Sequence, residues 1–263
     1  MRIARYRKAV KMDKNKLKSW YQEEKYGIKG WDFSHLDDRW KNETLPWNYQ
    51  KIVLRYLTTD MQLLDMGTGD GELLKTFHHS NNRTQVTEAW APNIDLLKRT
   101  IVRQGIKLHA LLKTHEADLP VKNNSLDIII NSHAAFDPKL IKDKLKTGGY
   151  FISQQVGALN NYSLARFFDG SYIPAYPDNT LLNTSIKFQN LNFEILVAKE
   201  YQADMAFFDV GAIVYYASII PWEFPNFSVD HCLKQLNQLD QAIKTFGSVV
   251  TKEDRFILVA RKK

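Results

Sequence analysis

From residue 48 onwards, short apolar runs alternate with stretches of helical spacing. Runs bounded by turn residues predict strands at 62–65, 85–88, 107–112, 126–131, 150–155, 193–201 and 255–260. Between them, apolar residues recurring every three or four positions predict helices at 48–57, 72–79, 92–101, 139–145, 210–220 and 229–246. Ile94, Leu97 and Ile101 share one helical face behind Pro92, whose missing N–H costs nothing in a first turn. Leu233, Leu236, Leu239 and Ile243 share another, and Gly247 ends that helix. Strands alternating with helices through short links predict an α/β fold built on a parallel sheet.

Three stretches stand outside this alternation. Over residues 1–22, Ile3, Tyr6, Val10, Leu17 and Trp20 are compatible with one helical face, with bases elsewhere. Residues 26–50 are dense in aromatics, among them Tyr26, Trp31, Trp40, Trp47 and Tyr49, and Gly27, Gly30 and Pro46 interrupt any long helix. This segment precedes the first sheet strand and is expected to cap the sheet. At residues 157–183 the regularity fails again, in a polar and aromatic insertion with Asn160, Tyr162, Arg166, Tyr172 and Tyr176. A loop this long in a compact domain is usually functional. It follows the C-terminal end of a parallel strand, where open α/β sheets bind ligands, and is the expected wall of a binding pocket.

Composition narrows the class. With 263 residues, 44% of them hydrophobic, the chain can bury a large core, and disorder is not expected. The single cysteine, Cys232, excludes a disulfide framework and a cysteine zinc cluster. It fits a reducing compartment, the cytoplasm. No run of 18 apolar residues is present, so no transmembrane segment is expected, and the N-terminus lacks the apolar region of a secretory signal. The seven histidines show no H-x-x-x-H or H-E-x-x-H spacing, so no metal is implied.

The net charge of +7 has one location. Arg2, Arg5, Arg7, Lys8, Lys11, Lys14, Lys16 and Lys18 face Asp13 alone, and the rest of the chain is neutral. Any nucleic-acid reading therefore leans on residues 1–18. The readings open to that tail are an RNA contact, an anionic membrane surface, or a solvated basic helix. A further reading takes Met12 as the natural start and residues 1–11 as an upstream extension.

The chemistry concentrates at residues 63–72. Leu63 and Leu64 continue a buried strand, Asp65 closes it, and Gly67, Gly69 and Gly71 let the backbone bend against a ligand. A dinucleotide fingerprint is G-x-G-x-x-G and serves a pyrophosphate on a helix N-terminus. Here the third glycine comes one residue early, and an acid precedes the first. Pyrophosphate needs donors and no nearby anion, whereas Asp65 suits a ligand with a positive end, such as an amino acid. Glu88 lies 21 residues after Gly67. An acid about 20 residues on is placed to take a ribose hydroxyl pair. Together they describe a nucleoside joined to an amino acid.

Asp65-Met66-Gly67-Thr68-Gly69-Asp70-Gly71 resembles motif I of the class I S-adenosylmethionine (SAM) dependent methyltransferases, and Glu88 sits where that family places its ribose-binding acid. Ala117-Asp118-Leu119-Pro120, followed by residues 125–130, resembles the adenine-side loop and fourth strand. Residues 145–151 resemble the L-x-P-G-G turn into the fifth strand, with Thr147 in place of the proline. These motifs cover residues 60–155 in the family's order.

The resemblance implies a doubly wound, mostly parallel seven-stranded sheet with an antiparallel last strand. It implies SAM as cofactor, with Asp65, Met66, Gly67, Thr68, Gly69 and Gly71 around its methionine end. Glu88 would take the ribose, Asp118 the adenine amine and Leu119 the ring, with Asn131 nearby. His133, in Asn131-Ser132-His133-Ala134-Ala135-Phe136 after the fourth strand, is the candidate base. The alternative is a loop histidine that packs or binds SAM. Gln154 and Gln155 are candidates to bind an acceptor or merely to finish a strand. The N-P-P-aromatic signature of amino-group nucleic-acid methyltransferases is absent at this position, and Ile220-Pro221-Trp222 comes too late to replace it.

The expected organisation is a basic helix and aromatic cap over residues 1–50 and a SAM-binding domain over 51–263, with the insertion at 157–183. The expected activity is methyl transfer to a small-molecule acceptor. The rivals are RNA methylation guided by the basic tail and SAM binding without turnover.

Overall fold

The structure, a computed structural model, describes residues 14–28, 30, 32–111 and 119–263. Among them are the strands β1 Trp40–Asn42, β2 Leu63–Met66, β3 Thr84–Glu88, β4 Lys107–Ala110, β5 Leu126–Ser132, β6 Leu145–Val156, β7 Phe193–Phe207 and β8 Val249–Lys262. The α-helices are α1 Lys14–Tyr26, α2 Tyr49–Tyr56, α3 Glu72–Lys75, α4 Ala91–Arg99, α5 Pro138–Lys144, α6 Tyr162–Phe168, α7 Leu181–Asn190, α8 Val210–Ile219 and α9 Leu233–Phe246. The strands form one eight-stranded sheet in the order β1-β7-β8-β6-β5-β2-β3-β4. β2 pairs parallel with β3 and β5, β3 with β4, and β5 with β6; β8 runs antiparallel to β6.

This is the expected doubly wound sheet with an antiparallel last strand, plus one strand that the pattern did not predict. β1 is three residues long and carries Lys41 and Asn42, too short and polar to announce itself. It pairs antiparallel with the end of β7, Trp40 opposite Phe207. β7 runs six residues beyond the predicted strand because burial keeps alternating through Ala203, Met205 and Phe207 while Asp204 faces out. The insertion is not irregular throughout: α6 lies inside it, and α7 begins before its end. The first-turn helix is shorter than predicted. It stops at Lys75, and His78 adopts φ 50.

Contacts divide the chain into two compact units. The larger comprises Glu43–Tyr162, Ile173–Asp204 and Lys252–Lys263. Its central strands are buried on both faces. Leu63, Ile128 and Ile130 pack with Ile52, Val53, Val86 and Leu97 in one cluster. Leu64, Met66 and Ile129 pack with Leu119, Phe151 and Phe188 in another. Each fully buried Leu or Ile here contributes roughly 1.5–3 kcal/mol relative to exposure. The strand order reverses at β2: the chain steps outward through β3 and β4, then returns to β5 on the other side. A crevice opens at the C-terminal ends of strands at such a reversal. That is where residues 66–71 and 131–136 leave the sheet.

The smaller unit comprises the described part of Met1–Asn42, with Ser163–Tyr172 and Met205–Thr251. In it α1 contributes the buried Trp20 and Lys16, whose ammonium pairs with Asp240 of α9 at 2.7 Å. Arg39 bridges Asp209 (2.7 Å) and Glu23 (3.0 Å), and Asp209 caps α8 by accepting from Ala212 N at 2.8 Å. The predicted basic helix over 1–22 is described only from Lys14 on; residues 1–13 lie outside the described residues. No helix among the described residues is long and apolar enough to cross a membrane.

Candidate functional site

The described site residues predicted from sequence all belong to the larger unit, and most converge at the C-terminal ends of β2, β3 and β5. Asp118 lies outside the described residues. β2 delivers Asp65 and Met66, then the chain turns through Gly67 (φ 64), Gly69 (φ 64) and Gly71 (φ 82) into α3. Three left-handed residues in five positions are affordable only without side chains. The turn is pinned to β3: Gly67 N donates to Thr87 Oγ1 (3.1 Å) and Thr68 N to Thr87 O (3.1 Å).

Two of these glycines face different surroundings. A Cβ on Gly67 would stand 2.5 Å from the Cβ of Ala134, so the turn lies directly against the loop that follows β5. A Cβ on Gly69 would meet no atom within 4 Å. The backbone there faces open space, as a surface for a ligand requires.

Two buried carboxylates bracket the turn. Glu88 ends β3, and its Oε2 accepts from Gly69 N at 2.8 Å. Its Oε1 accepts from Ala89 N (2.8 Å) and Trp90 N (2.9 Å). Three backbone donors fix the carboxylate; those on Oε1 fill its two lone-pair sites, so capacity for a further donor lies on Oε2, which Asn93 Nδ2 approaches at only 3.5 Å. Asp65 is buried, and its Oδ2 accepts from Thr68 Oγ1 at 2.6 Å. Burial pushes its pKa up to about 7; the Thr68 bond opposes this, and the Glu88 charge adds to it. The fit to a nucleoside joined to an amino acid is good. Asp65 can meet an ammonium and Glu88 Oε2 a hydroxyl, and the Glu88 charge would repel a phosphate.

The β5 side closes the site. Asn131 is fully buried, and its side chain is committed to its own loop. Oδ1 accepts from Ala134 N (3.1 Å) and Gln155 Nε2 (2.9 Å), and Nδ2 donates to Ala134 O (3.0 Å). Its backbone N donates to the Tyr49 hydroxyl at 3.1 Å. Burial, and then the Asp65 charge, push that hydroxyl's pKa well above its ordinary value. Tyr49 is thus a neutral phenol joining α2 to the strand end. Sequence reasoning placed it among cap aromatics and missed this bond, because it spans distant positions. Leu119 is buried with Met66 in the core cluster.

His133 sits in the left-handed region (φ 69) and is exposed to solvent on part of its surface. Desolvation by neighbouring protein, and then the Arg255 cation, lower its pKa below the ordinary histidine value. It is neutral at pH 7 and a weak base there, since an effective base has a pKa near the working pH. Its Nε2 lies 3.4 Å from Gln154 Nε2, and Gln154 Oε1 accepts from Trp47 Nε1 at 2.8 Å. Of the two glutamines singled out, Gln155 therefore braces Asn131 and Gln154 contacts His133.

No protein-family model and no curated protein matches the chain. Solved structures do. A Bacillus halodurans protein assigned as a methyltransferase superposes with a TM-score of 0.56 at 13% identity, over 81% of this chain and 98% of its own. The YcgJ protein of Bacillus subtilis gives 0.54 at 16% identity, over 82% and 98%. A protein of unknown function from Deinococcus radiodurans gives 0.50 at 12% identity, over 85% and 92%. The chain has the fold of the class I SAM-dependent methyltransferases.

Proposed function

We propose that this chain binds SAM and transfers its methyl group to a small-molecule acceptor. The observation that carries the reading is the 2.8 Å bond from Gly69 N to the Glu88 carboxylate, beside a second buried acid, Asp65, at the head of the same turn. In this reading Asp65 and the backbone of residues 66–71 hold the amino-acid end. Glu88 accepts from the ribose hydroxyls, Asp118 takes the adenine amine, and Leu119 and Asn131 shape the walls. When bound, SAM supplies a methyl group already activated on a sulfonium. The chain's own work is to orient, desolvate and exclude water. Residues 157–183 contribute to acceptor recognition. A small acceptor is favoured because the chain beyond residue 18 carries no net charge.

Calorimetry of SAM and S-adenosylhomocysteine with the full chain, beside Gly69→Arg and Glu88→Ala, tests this. Micromolar binding lost in both variants supports the site; no binding to the wild type sinks it. Binding with no transfer to any acceptor class would leave a SAM-binding protein without turnover. One observation favours RNA as acceptor: the whole net charge of +7 lies in residues 1–18. That reading expects RNA binding that weakens steeply with salt and is lost when residues 1–18 are deleted.

A further inference from the structure

Trp47, Gln154 and His133 form a chain of side chains whose hydrogen positions are dictated from one end. An indole N–H can only donate. The atom of Gln154 facing Trp47 at 2.8 Å must therefore be the amide oxygen, which turns the amide NH2 toward His133. At 3.4 Å, on an exposed face, this amide favours an unprotonated His133 Nε2 that accepts. A neutral imidazole then holds its single proton on Nδ1. The backbone secures the pairing, since His133 N also donates to Gln154 O at 2.9 Å and the residue is held at φ 69.

We propose that Trp47 and Gln154 are positioning residues that bias His133 to the neutral Nδ1–H tautomer, with Nε2 engaged by the Gln154 amide and withheld from use as a base. This rests on the methyl-transfer reading of the site and deepens it. The one histidine at the β5 exit is withheld from proton abstraction. The charged group acting on His133 is Arg255, which lies along β8 and also opposes a second proton on the ring.

The bias can be read without knowing the acceptor. Long-range 1H–15N correlation spectra of the full-length chain labelled on histidine nitrogens distinguish the two neutral tautomers, and His133→Asn assigns the signal. The wild type is expected to show Nδ1–H and no titration between pH 5.5 and 8. Gln154→Glu replaces the facing donor by a carboxylate. It is expected to flip His133 to Nε2–H and raise its midpoint by about one to three pH units. Trp47→Phe frees the amide to rotate and is expected to give a tautomer mixture. A wild-type His133 that is Nε2–H, or that titrates near 6.5, overturns the proposal, as does a Gln154→Glu spectrum identical to wild type. SAM calorimetry on the same samples keeps the two ideas separate: absent binding removes the methyl-transfer reading and leaves the tautomer result standing.

Discussion

Thr68 Oγ1 donates to Asp65 Oδ2 across 2.6 Å, a bond that favours the ionised acid, yet burial prevails and Asp65 stands at about 7. An unfolded aspartate titrates near 3.9. Between the two values the folded chain keeps a proton that the unfolded chain has lost, so stability falls as pH rises from about 4 to about 7. Asp65→Asn removes that cost and keeps an acceptor for Thr68. It is expected to be more stable than wild type above pH 7 by up to roughly 4 kcal/mol, with the gap closing near pH 4. Urea unfolding across that range reads the difference; a gap independent of pH would mean that Asp65 titrates ordinarily.

The same acid sets the direction of ligand binding with pH. A cationic amine prefers ionised Asp65, so SAM affinity is expected to weaken below pH 7, approaching tenfold per pH unit. Calorimetry between pH 5.5 and 7.5 checks this. Asp65→Asn should bind weakly and with little pH dependence over that window.

The glycines should separate fold from ligand. Gly67→Ala combines a φ of 64 with a 2.5 Å approach to Ala134, and is expected to cost about 2–4 kcal/mol of stability. Gly69→Ala meets only the conformational penalty, about 1 kcal/mol, because its Cβ enters open space. That space is where the ligand is placed, so Gly69→Ala should fold and lose SAM affinity. Thermal melts with and without SAM distinguish the two; equal destabilisation would contradict the geometry.

Tyr49→Phe deletes the acceptor of the Asn131 amide and leaves a buried N–H unmet. The expected loss is about 1–3 kcal/mol. Amide exchange of Asn131 should accelerate more than that of Ile129, two residues earlier in β5. Unchanged exchange at Asn131 would show that another group satisfies it.

Much of this was legible in the sequence because it is local. Leu63-Leu64 and Ile128-Ile129-Ile130 are apolar on both faces, and the glycine turn with its acids is written in consecutive residues. That Glu88 lies beside the turn was legible because the length of a strand–helix–strand unit fixes its distance from it. What escaped was non-local or short. Tyr49 meets Asn131 and Trp47 meets Gln154 only after folding. β1 has too few residues to show a period. α6 carries Tyr162, Phe167 and Phe168, which read as loop aromatics until Leu164, Ala165 and Phe168 are seen buried on one side. The residue type of His133 was legible, but its contact with Gln154 was not.

The strand furthest along the sequence among those described is not at the margin of the sheet. β8 lies between β7 and β6, and its final residues run beside a strand begun at Leu145. While the ribosome is still making residues 249–262, β6 has no partner on one side. Phe151, Ile152 and Ser153 then await Ala260, Val259 and Leu258. A nascent chain stalled before β8 therefore displays an open, apolar strand edge, the kind of surface that chaperones hold and that neighbouring chains can capture. Disruption of residues 255–261 should accordingly be felt in the middle of the sheet and not at its margin.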